Sequence, residues 1–417
     1  MINKEIEQLI WQATFGEKEE KKKAYLTIKK IGEENGIFLA SINSLYKARA
    51  KKEVPLNFTV PAINIRSLTY DMARVIFKVA IIQKVGALIF EIARSEMGYT
   101  NQAPEEYTSA IIAAAISEKF KGPLFIQGDH FQIKSQRRSV QPKEDELENV
   151  KNLIKDSIEA GFYNIDIDLS TLVDYSQQTI DKQQKINYTL SAELAEYIRS
   201  IEPEGIIISL GGEIGHIGGK NSTKEELIAY MEGFNNSLKT ELTGLSKIAI
   251  QTGTHHGGVP LPDGTLADDK VDFTALKELS QLAREYNMGG AVQHGASTLP
   301  DKYFSQFPES EAIEVHLATG FQNIIMNHPK FPKELVKDMH EWLDDTMQNE
   351  RSRYQTDAQF HYKLRKKAWG QFKKECWSLP DDIKQSIMND LEKRFVFIFK
   401  ELNVNNTKEI VEKFIEK

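Results

Sequence analysis

The chain has 417 residues, of which 41% are hydrophobic and 27% are charged, a composition typical of a globular protein with a substantial core. Its net charge of −7 gives no reason to expect a nucleic acid as partner, and no run of about 18 apolar residues indicates a membrane span. The first residues lack the pattern of a signal peptide, and Cys376 is the only cysteine. We therefore expect a cytoplasmic protein without intrachain disulfides.

Three parts follow one another along the chain. Residues 1–57 are predicted to be a helical extension, residues 58–330 a catalytic domain, and residues 331–417 the last helix of that domain with a second helical extension. The extensions either cap the domain or form an oligomer interface. Eight short β-rich runs predict the strands of the central part, at residues 58–65, 87–94, 123–130, 163–170, 205–215, 247–257, 290–297 and 321–328.

Eight strands that alternate with helices over about 270 residues predict an α/β protein with the (β/α)8 TIM barrel fold. A doubly wound open sheet is the alternative. It usually has fewer strands, and it carries a glycine-rich turn after the first strand, which the sequence INIRSLTYD does not provide.

Polar residues collect at one end of the predicted strands. They are Asp129 and His130 on the third strand, Asp168 on the fourth, Glu213 on the fifth, His255 and His256 on the sixth, His294 on the seventh, and Asn327 and His328 on the eighth. In a barrel these ends meet at the mouth where active sites lie. Three imidazoles from different strands, with a fourth position open, are the arrangement of a catalytic zinc ion. For each histidine alone, the alternative is a core imidazole bonded to the backbone.

Glycines accompany these residues in the sequences GTHHGG, HGAS and GGEIGHIGG. Glycine lets the backbone approach a ligand and present N–H groups, and the last strands of a barrel often supply a phosphate site. A phosphorylated substrate is one hypothesis that follows. Tight turns that need a positive φ are the alternative explanation.

These motifs, in this order, resemble the class II, zinc-dependent fructose-bisphosphate and tagatose-bisphosphate aldolases. VPAINI resembles the family's first strand, GDH its catalytic aspartate and a zinc histidine, and IDLS its fourth-strand motif. GEIGHIGG resembles its glutamate and glycine loop, and GTHHG and QHGAS its other zinc histidines. The resemblance covers residues 58–328. It implies Zn2+ or another divalent metal as cofactor, with a monovalent cation as a further option.

The resemblance also implies a role for each matched residue. Asp129 would protonate the aldehyde oxygen during condensation. The metal would be held by His130, His256 and His294, with Glu213 and Asp168 as nearby carboxylates. The substrate would be contacted by Asn64, Ser95, Gly257, Gly295, Ser297 and Asn327. His255 is the alternative to His256 as metal ligand.

The sequence departs from the family pattern at three places of the barrel. After the second strand, the sequence EIARSEMGYTNQ carries more charge than the family's serine-containing turn and puts Arg94, Ser95 and Glu96 at the mouth. On the predicted eighth strand, Ile325 stands where the family has an asparagine. After Gly218 and Gly219, Lys220 and Asn221 stand where the family often has acidic residues. The residue that takes the substrate proton is therefore unassigned.

The implied reaction is reversible cleavage of a ketose bisphosphate, in first place fructose 1,6-bisphosphate, to dihydroxyacetone phosphate and glyceraldehyde 3-phosphate, as in glycolysis and gluconeogenesis. The alternatives are a related enzyme for another sugar phosphate, a zinc-dependent barrel lyase or hydrolase with a non-phosphorylated substrate, and a non-catalytic aldolase-like subunit. The expected partners are the sugar phosphate and further copies of the chain in a dimer or tetramer, with neither nucleic acid nor membrane.

Overall fold

The computed structural model describes residues 2–135, 142–215, 220–255, 257–262, 266–267 and 270–415. Within these ranges the strands are β1 (Ile37–Leu39), β2 (Val60–Asn64), β3 (Ile89–Ala93), β4 (Gly122–Gln132), β5 (Asn164–Asp168), β6 (Ser209–Glu213), β7 (Lys247–Ile250), β8 (Ala291–Gln293) and β9 (Glu314–Leu317). The α-helices are α1 (Ile2–Phe15), α2 (Lys18–Glu34), α3 (Asn43–Ala50), α4 (Thr69–Gln83), α5 (Arg94–Thr100), α6 (Pro104–Ser117), α7 (Glu146–Glu159), α8 (Ile180–Ile201), α9 (Lys224–Ser237), α10 (Phe273–Glu285), α11 (Gln306–Glu309), α12 (Thr319–Met326), α13 (Lys333–Thr346), α14 (Gln348–Arg351), α15 (Asp357–Leu364), α16 (Lys373–Trp377), α17 (Asp381–Glu401) and α18 (Lys408–Phe414). Among the described helices, none combines the length and the apolar character needed to cross a membrane.

Strands β2 to β9 form a closed barrel in which all neighbours are parallel. Their order is β4, β3, β2, β9, β8, β7, β6 and β5, and pairing of β4 with β5 closes the ring. The predicted (β/α)8 TIM barrel is therefore confirmed. The first seven predicted strands coincide with β2 to β8. The additional strand β1 pairs with the beginning of β4, so the N-terminal extension is not entirely helical.

The prediction of the eighth strand at residues 321–328 is wrong. The strand is β9 (Glu314–Leu317), and the predicted run falls mostly in helix α12. Glu314 and His316 alternate with apolar residues along β9 and face the barrel interior, so this strand lacks a continuous apolar run. Helix α12 contains such a run instead, and Ile325 belongs to the buried face of that helix. The comparison of Ile325 with the family's asparagine therefore concerned the wrong segment.

Helix α3 closes the amino-terminal end of the barrel. The hydroxyl of Tyr46 donates a hydrogen bond to Glu314 Oε2 at 2.5 Å, and Arg49 donates to the carbonyl oxygens of Phe58 at 2.6 Å and Ala312 at 3.3 Å. Both Tyr46 and Arg49 are fully buried. A guanidinium in that position satisfies backbone carbonyls that would otherwise be buried without a donor. This part of the N-terminal extension is thus built into the base of the barrel.

The segment from residue 357 to residue 377, called here the crossing segment, lies over the carboxyl-terminal end of the barrel. It is tied to the segments that follow β7, β9 and β3 by hydrogen bonds from Tyr362 Oη to the Gly257 carbonyl (3.1 Å), from Trp369 Nε1 to Gln322 Oε1 (3.2 Å) and from the Gly370 N–H to the Tyr99 carbonyl (3.0 Å). Because these segments surround the mouth, the crossing segment brings its own side chains to it.

A charged cluster fills the centre of the barrel. The ammonium of Lys247 on β7 lies 2.6 Å from Gln127 Oε1 on β4, 2.9 Å from Asp166 Oδ1 on β5 and 2.5 Å from Glu314 Oε1 on β9. Burial alone would lower the pKa of Lys247, but Asp166 and Glu314 raise it, so the lysine stays charged. Gly211 leaves the necessary room, because a Cβ at this position would lie 2.3 Å from Asp166 Oδ1.

Replacing Lys247 by methionine is expected to lower the free energy of unfolding by about 3–5 kcal/mol, because two buried carboxylates then lose their cation. Urea denaturation followed by circular dichroism measures this change. Lys239→Met is the matched control, since Lys239 is an exposed lysine paired with Glu196 and its loss is expected to have little effect. Equal denaturation midpoints for the two variants would contradict the central role of Lys247.

Candidate active site

A cavity of about 530 Å³ opens at the carboxyl-terminal ends of the barrel strands. Active sites of this fold lie at the same mouth. Ten of the twelve residues predicted for the site line it, namely Asn64, Ser95, Asp129, His130, Asp168, Glu213, Gly257, His294, Gly295 and Ser297. Of the other two, His256 lies outside the described residues, and Asn327 is placed elsewhere.

The prediction for Asn327 is wrong because it depended on the misplaced eighth strand. Asn327 follows the last residue of α12, and its side-chain oxygen accepts a hydrogen bond from Nη1 of Arg365 at 2.7 Å. It does not line the cavity. Its side chain joins α12 to the crossing segment and takes no place among the groups at the mouth.

Strand β4 carries Asp129 and His130 side by side, and a β-bulge turns both toward the cavity. Neighbouring residues of a regular strand point to opposite faces. Here the pairing with β5 shifts register between Gly128 and Phe131, and His130 has a left-handed backbone conformation with φ of 43°. Gly128 is required at the bulge, because a Cβ there would lie 2.4 Å from the Phe131 ring. One strand can therefore supply two adjacent groups to the site.

His130 lies between two carboxylates. Its Nδ1 is 3.0 Å from Asp168 Oδ2 and 3.0 Å from Glu213 Oε2, and its ring stacks on that of His294 with centroids 4.3 Å apart. Burial alone would lower the pKa of His130, but Asp129 and Glu213 raise it well above its usual value. Burial and the charge of Asp168 raise the pKa of Glu213 to about 8. A divalent cation would displace the protons that these crowded groups otherwise hold.

Two overlapping groups of side chains fit a metal ion. They are Asp129, His130 and His294, and His130, Asp168 and Glu213, and within each group the ligand atoms lie within 4.8 Å of one another. Imidazole nitrogens combined with carboxylate oxygens suit zinc, so the donor set fits a divalent transition metal. Of the two adjacent candidates on the sixth barrel strand, His255 belongs to neither of these groups. His256 stays a prediction.

Asp129 is held by two side chains. Its Oδ1 lies 3.2 Å from Nδ1 of His316, and its Oδ2 accepts a hydrogen bond from Nδ2 of Asn64 at 3.0 Å. Although burial favours the neutral acid, His130 and His316 hold the pKa of Asp129 well below its usual range. That effect depends on protonated imidazoles. A metal ion requires a neutral imidazole as its ligand, so the effect of His130 on the pKa of Asp129 becomes weaker when His130 binds a metal.

Several residues that line the cavity were missed by sequence reasoning, among them Arg66, His316 and Lys366. The prediction missed His316 because it placed the eighth strand at residues 321–328. The alternation of polar and apolar residues along β9 indicates the correct strand. Arg66 follows β2, and its Nε donates to Glu96 Oε1 at 2.6 Å. Lys366 comes from the crossing segment and belongs to the basic sequence KLRKKAWGQFKK at residues 363–374. Such a stretch can reach a phosphate, but its composition favours a solvated helix face instead.

The glycines at the mouth have a conformational reason of their own. Gly257 and Gly295 have φ of 69° and 72°, which L-residues with a side chain rarely adopt. Ser297 accepts a hydrogen bond at Oγ from the Gly320 N–H at 3.0 Å, and a Cβ on Gly320 would lie 2.2 Å from the Ser297 carbonyl oxygen. The tight-turn explanation therefore applies to Gly257 and Gly295. A contact with phosphate would be an additional role.

A closed parallel barrel with imidazoles and carboxylates at its carboxyl-terminal mouth is the architecture of metal-dependent TIM-barrel enzymes. The family model for class-II fructose-bisphosphate aldolase matches residues 44–363. The chain therefore belongs to the class II fructose-bisphosphate aldolase family, whose members are metal-dependent lyases that act on phosphorylated sugars.

Individual relatives are distant. A fructose-bisphosphate aldolase from Giardia intestinalis (strain ATCC 50803 / WB clone C6) is 22% identical over 243 residues, which make up 57% of this chain and 62% of that protein. The YdjI aldolase from Escherichia coli K12 has a TM-score of 0.53 at 13% identity, over 88% of this chain and 98% of that one. The fructose-bisphosphate aldolase (Fba) from Campylobacter jejuni has a TM-score of 0.53 at 14% identity, over 89% and 96%. The two solved structures support the fold alone.

We expect the purified protein to contain bound zinc or another divalent metal, measurable by inductively coupled plasma mass spectrometry. His294→Ala is expected to lose it, because His294 belongs to the group at the mouth. A parallel pair, His255→Ala and His256→Ala, identifies the ligand on the sixth strand, and only the latter is expected to lose metal. His340→Ala serves as control, since His340 stacks on His361 in a different part of the chain. Full metal content in His294→Ala would contradict the assignment.

Proposed function

We propose that the protein catalyses zinc-dependent, reversible aldol cleavage of a ketose bisphosphate, with fructose 1,6-bisphosphate as the substrate. The products are dihydroxyacetone phosphate and glyceraldehyde 3-phosphate. The observation that carries the proposal is the β4 bulge, which holds Asp129 next to His130 in the cavity, with His294 stacked on His130. A proton-transferring carboxylate adjacent to imidazole ligands is what metal-dependent aldol chemistry needs.

His130, His294 and His256 would hold the zinc ion, which would act there as a Lewis acid toward the substrate ketone. Asp129 takes the proton of the hydroxyl on C4 during cleavage, while the C3–C4 bond breaks and the C4 oxygen becomes the aldehyde. The electron pair of the broken bond passes to the three-carbon fragment, which then takes up a proton at C3. In condensation Asp129 returns its proton to the aldehyde oxygen.

The source of the C3 proton is not assigned to any residue. Residues 216–219, in the glycine loop after β6, lie outside the described residues. Lys220, which follows them, lies 2.7 Å from Glu226 Oε1 and is thus engaged at the start of α9.

Two cations of the cavity wall support a phosphorylated substrate. Arg66 donates from Nη1 to Thr319 Oγ1 at 3.1 Å. Burial, and after it the charge of Arg66, lowers the pKa of Lys366 to about 8. The Lys366 ammonium lies over the Tyr99 ring, 5.8 Å from its centroid, and among the described residues no hydrogen bond or ion pair to it is found. A phosphate group of the substrate would be a charged partner for it.

A role in glycolysis and gluconeogenesis, a cytoplasmic location and assembly into a dimer or tetramer belong to the same proposal. They follow from the proposed reaction and from the family, and size-exclusion chromatography with light scattering tests the assembly.

Asp129→Asn is expected to lower kcat for cleavage of fructose 1,6-bisphosphate by roughly 10²–10⁴-fold, because the amide cannot exchange the proton. Formation of dihydroxyacetone phosphate is measured in a coupled assay, with tagatose 1,6-bisphosphate and fructose 1-phosphate as further substrates. Chelation is expected to abolish cleavage and added zinc to restore it. Undiminished turnover after chelation would rule out the metal mechanism, and turnover of a different ketose phosphate alone would replace the substrate.

Lys366→Met is expected to raise KM for fructose 1,6-bisphosphate about 10-fold while kcat stays within roughly threefold, because a charge-assisted hydrogen bond contributes about 1.5–3 kcal/mol. Lys367→Met is the matched control, since Lys367 contacts Met347 rather than the cavity. Identical KM values in the two variants would exclude Lys366 from substrate binding.

A further inference from the structure

Four buried carboxylates surround the imidazole of His316. Its Nδ1 is 3.2 Å from Asp129 Oδ1 and 3.3 Å from Glu91 Oε1. Its Nε2 is 2.7 Å from Glu314 Oε1 and 3.7 Å from Asp166 Oδ2. Only 4% of His316 is exposed, and both ring nitrogens contact side chains inside the protein.

Glu314 fixes the orientation of this ring. Its Oε1 accepts hydrogen bonds from Lys247 at 2.5 Å and from Gln127 at 2.8 Å, and its Oε2 accepts one from Tyr46 at 2.5 Å. Although burial favours the neutral acid, Lys247 lowers the pKa of Glu314 to about 2, so the group accepts at both oxygens. The partner of Glu314 on His316 must then be an N–H donor, so Nε2 carries a proton. Asp129 is also a carboxylate that can only accept, so Nδ1 carries a proton as well and donates to Oδ1 of Asp129.

The carboxylate of Asp129 is thereby held at both oxygens. His316 contacts Oδ1, while Asn64 donates to Oδ2 at 3.0 Å and in addition to Glu96 Oε2 at 2.8 Å. Two contacts on opposite oxygens define the plane of a carboxylate. Proton transfer is efficient only when donor and acceptor are held within hydrogen-bonding geometry.

We propose that His316, anchored by Glu314, is a positioning residue that fixes the carboxylate of Asp129 for proton transfer to and from the substrate. This inference rests on the role given to Asp129 in the proposed function. It adds a group on the eighth barrel strand to the residues that operate the site, and it gives the buried cluster around Lys247 a part in catalysis.

A second cation site is the competing explanation for the same residues. Ligand atoms of Glu91, Asp166, Glu314 and His316 lie within 4.8 Å of one another and are all buried. The ammonium of Lys247, however, already contacts Asp166 and Glu314. A lysine in that position supplies the positive charge, so we assign no metal to this group.

Two variants of His316 separate the two contacts of the ring. The amide of His316→Gln reaches the position of Nε2 and keeps the bond to Glu314, whereas the amide of His316→Asn reaches the position of Nδ1 and keeps the bond to Asp129. We expect His316→Gln to lower kcat roughly 10–100-fold with KM within about twofold. His316→Asn is expected to retain kcat within about fivefold. His340→Asn, remote from the cavity, is the control for the histidine substitution itself.

Metal content and thermal unfolding are measured on the same proteins, because the His316 ring also packs against His294 with centroids 4.2 Å apart. Loss of metal in both variants, or equal losses of kcat in both, would show that the ring merely supports the site and would overturn the proposal. So would a His316→Gln enzyme with normal kcat.

A failure of the proposed function is distinguishable from a failure of this inference. If the wild-type protein cleaves none of the ketose phosphates, the proposed function fails, and a crystal structure of His316→Gln still tests the positioning role. The expected result is a carboxylate of Asp129 rotated from its wild-type plane. An unchanged carboxylate would overturn the inference independently of activity.

Discussion

The buried ammonium of Lys247 is the interaction on which the barrel and its site both depend. It joins β7 to β4, β5 and β9 across an interior that excludes water, where each carboxylate requires a cation or hydrogen-bond donors. Helix α3 completes the same cluster from below through Tyr46. A continuous set of contacts thus runs from Tyr46 through Glu314 and His316 to Asp129, from the base of the barrel to its mouth.

A polar interior changes how the strands of a barrel appear in a sequence. Barrel interiors are usually filled by branched apolar residues, and strands buried on both faces then appear as apolar runs. That pattern held for β2 to β8 closely enough to predict them. It failed for β9, because Glu314 and His316 occupy its inward positions and only its outward residues are apolar. The energetic requirement of Lys247 for carboxylate partners is therefore the physical reason for the one strand that was misplaced.

The groups of side chains that fit a metal ion were predictable, because their approach to one another depends on the barrel topology alone. Once eight strands are placed in a parallel barrel, Asp129, His130, Asp168, Glu213 and His294 must meet at one end. How Asp129 and His130 both face the cavity was not predictable, since it requires a bulge that depends on the packing of the Phe131 ring against Gly128. Contacts between distant parts of the chain, such as that of Tyr46 with Glu314, leave no local pattern in the sequence.

Two separate segments of the chain build the cavity wall, namely the ends of the barrel strands with their loops and the crossing segment. The family model ends at residue 363, whereas Lys366 lies three residues further and still lines the cavity. The strand ends supply the groups that fit a metal, and their geometry is fixed by the barrel. The crossing segment is held over the mouth by hydrogen bonds, among them those of Tyr362, Arg365, Trp369 and Gly370. Changes in that segment can therefore alter the wall that faces a substrate while the barrel keeps the cluster at the strand ends in place.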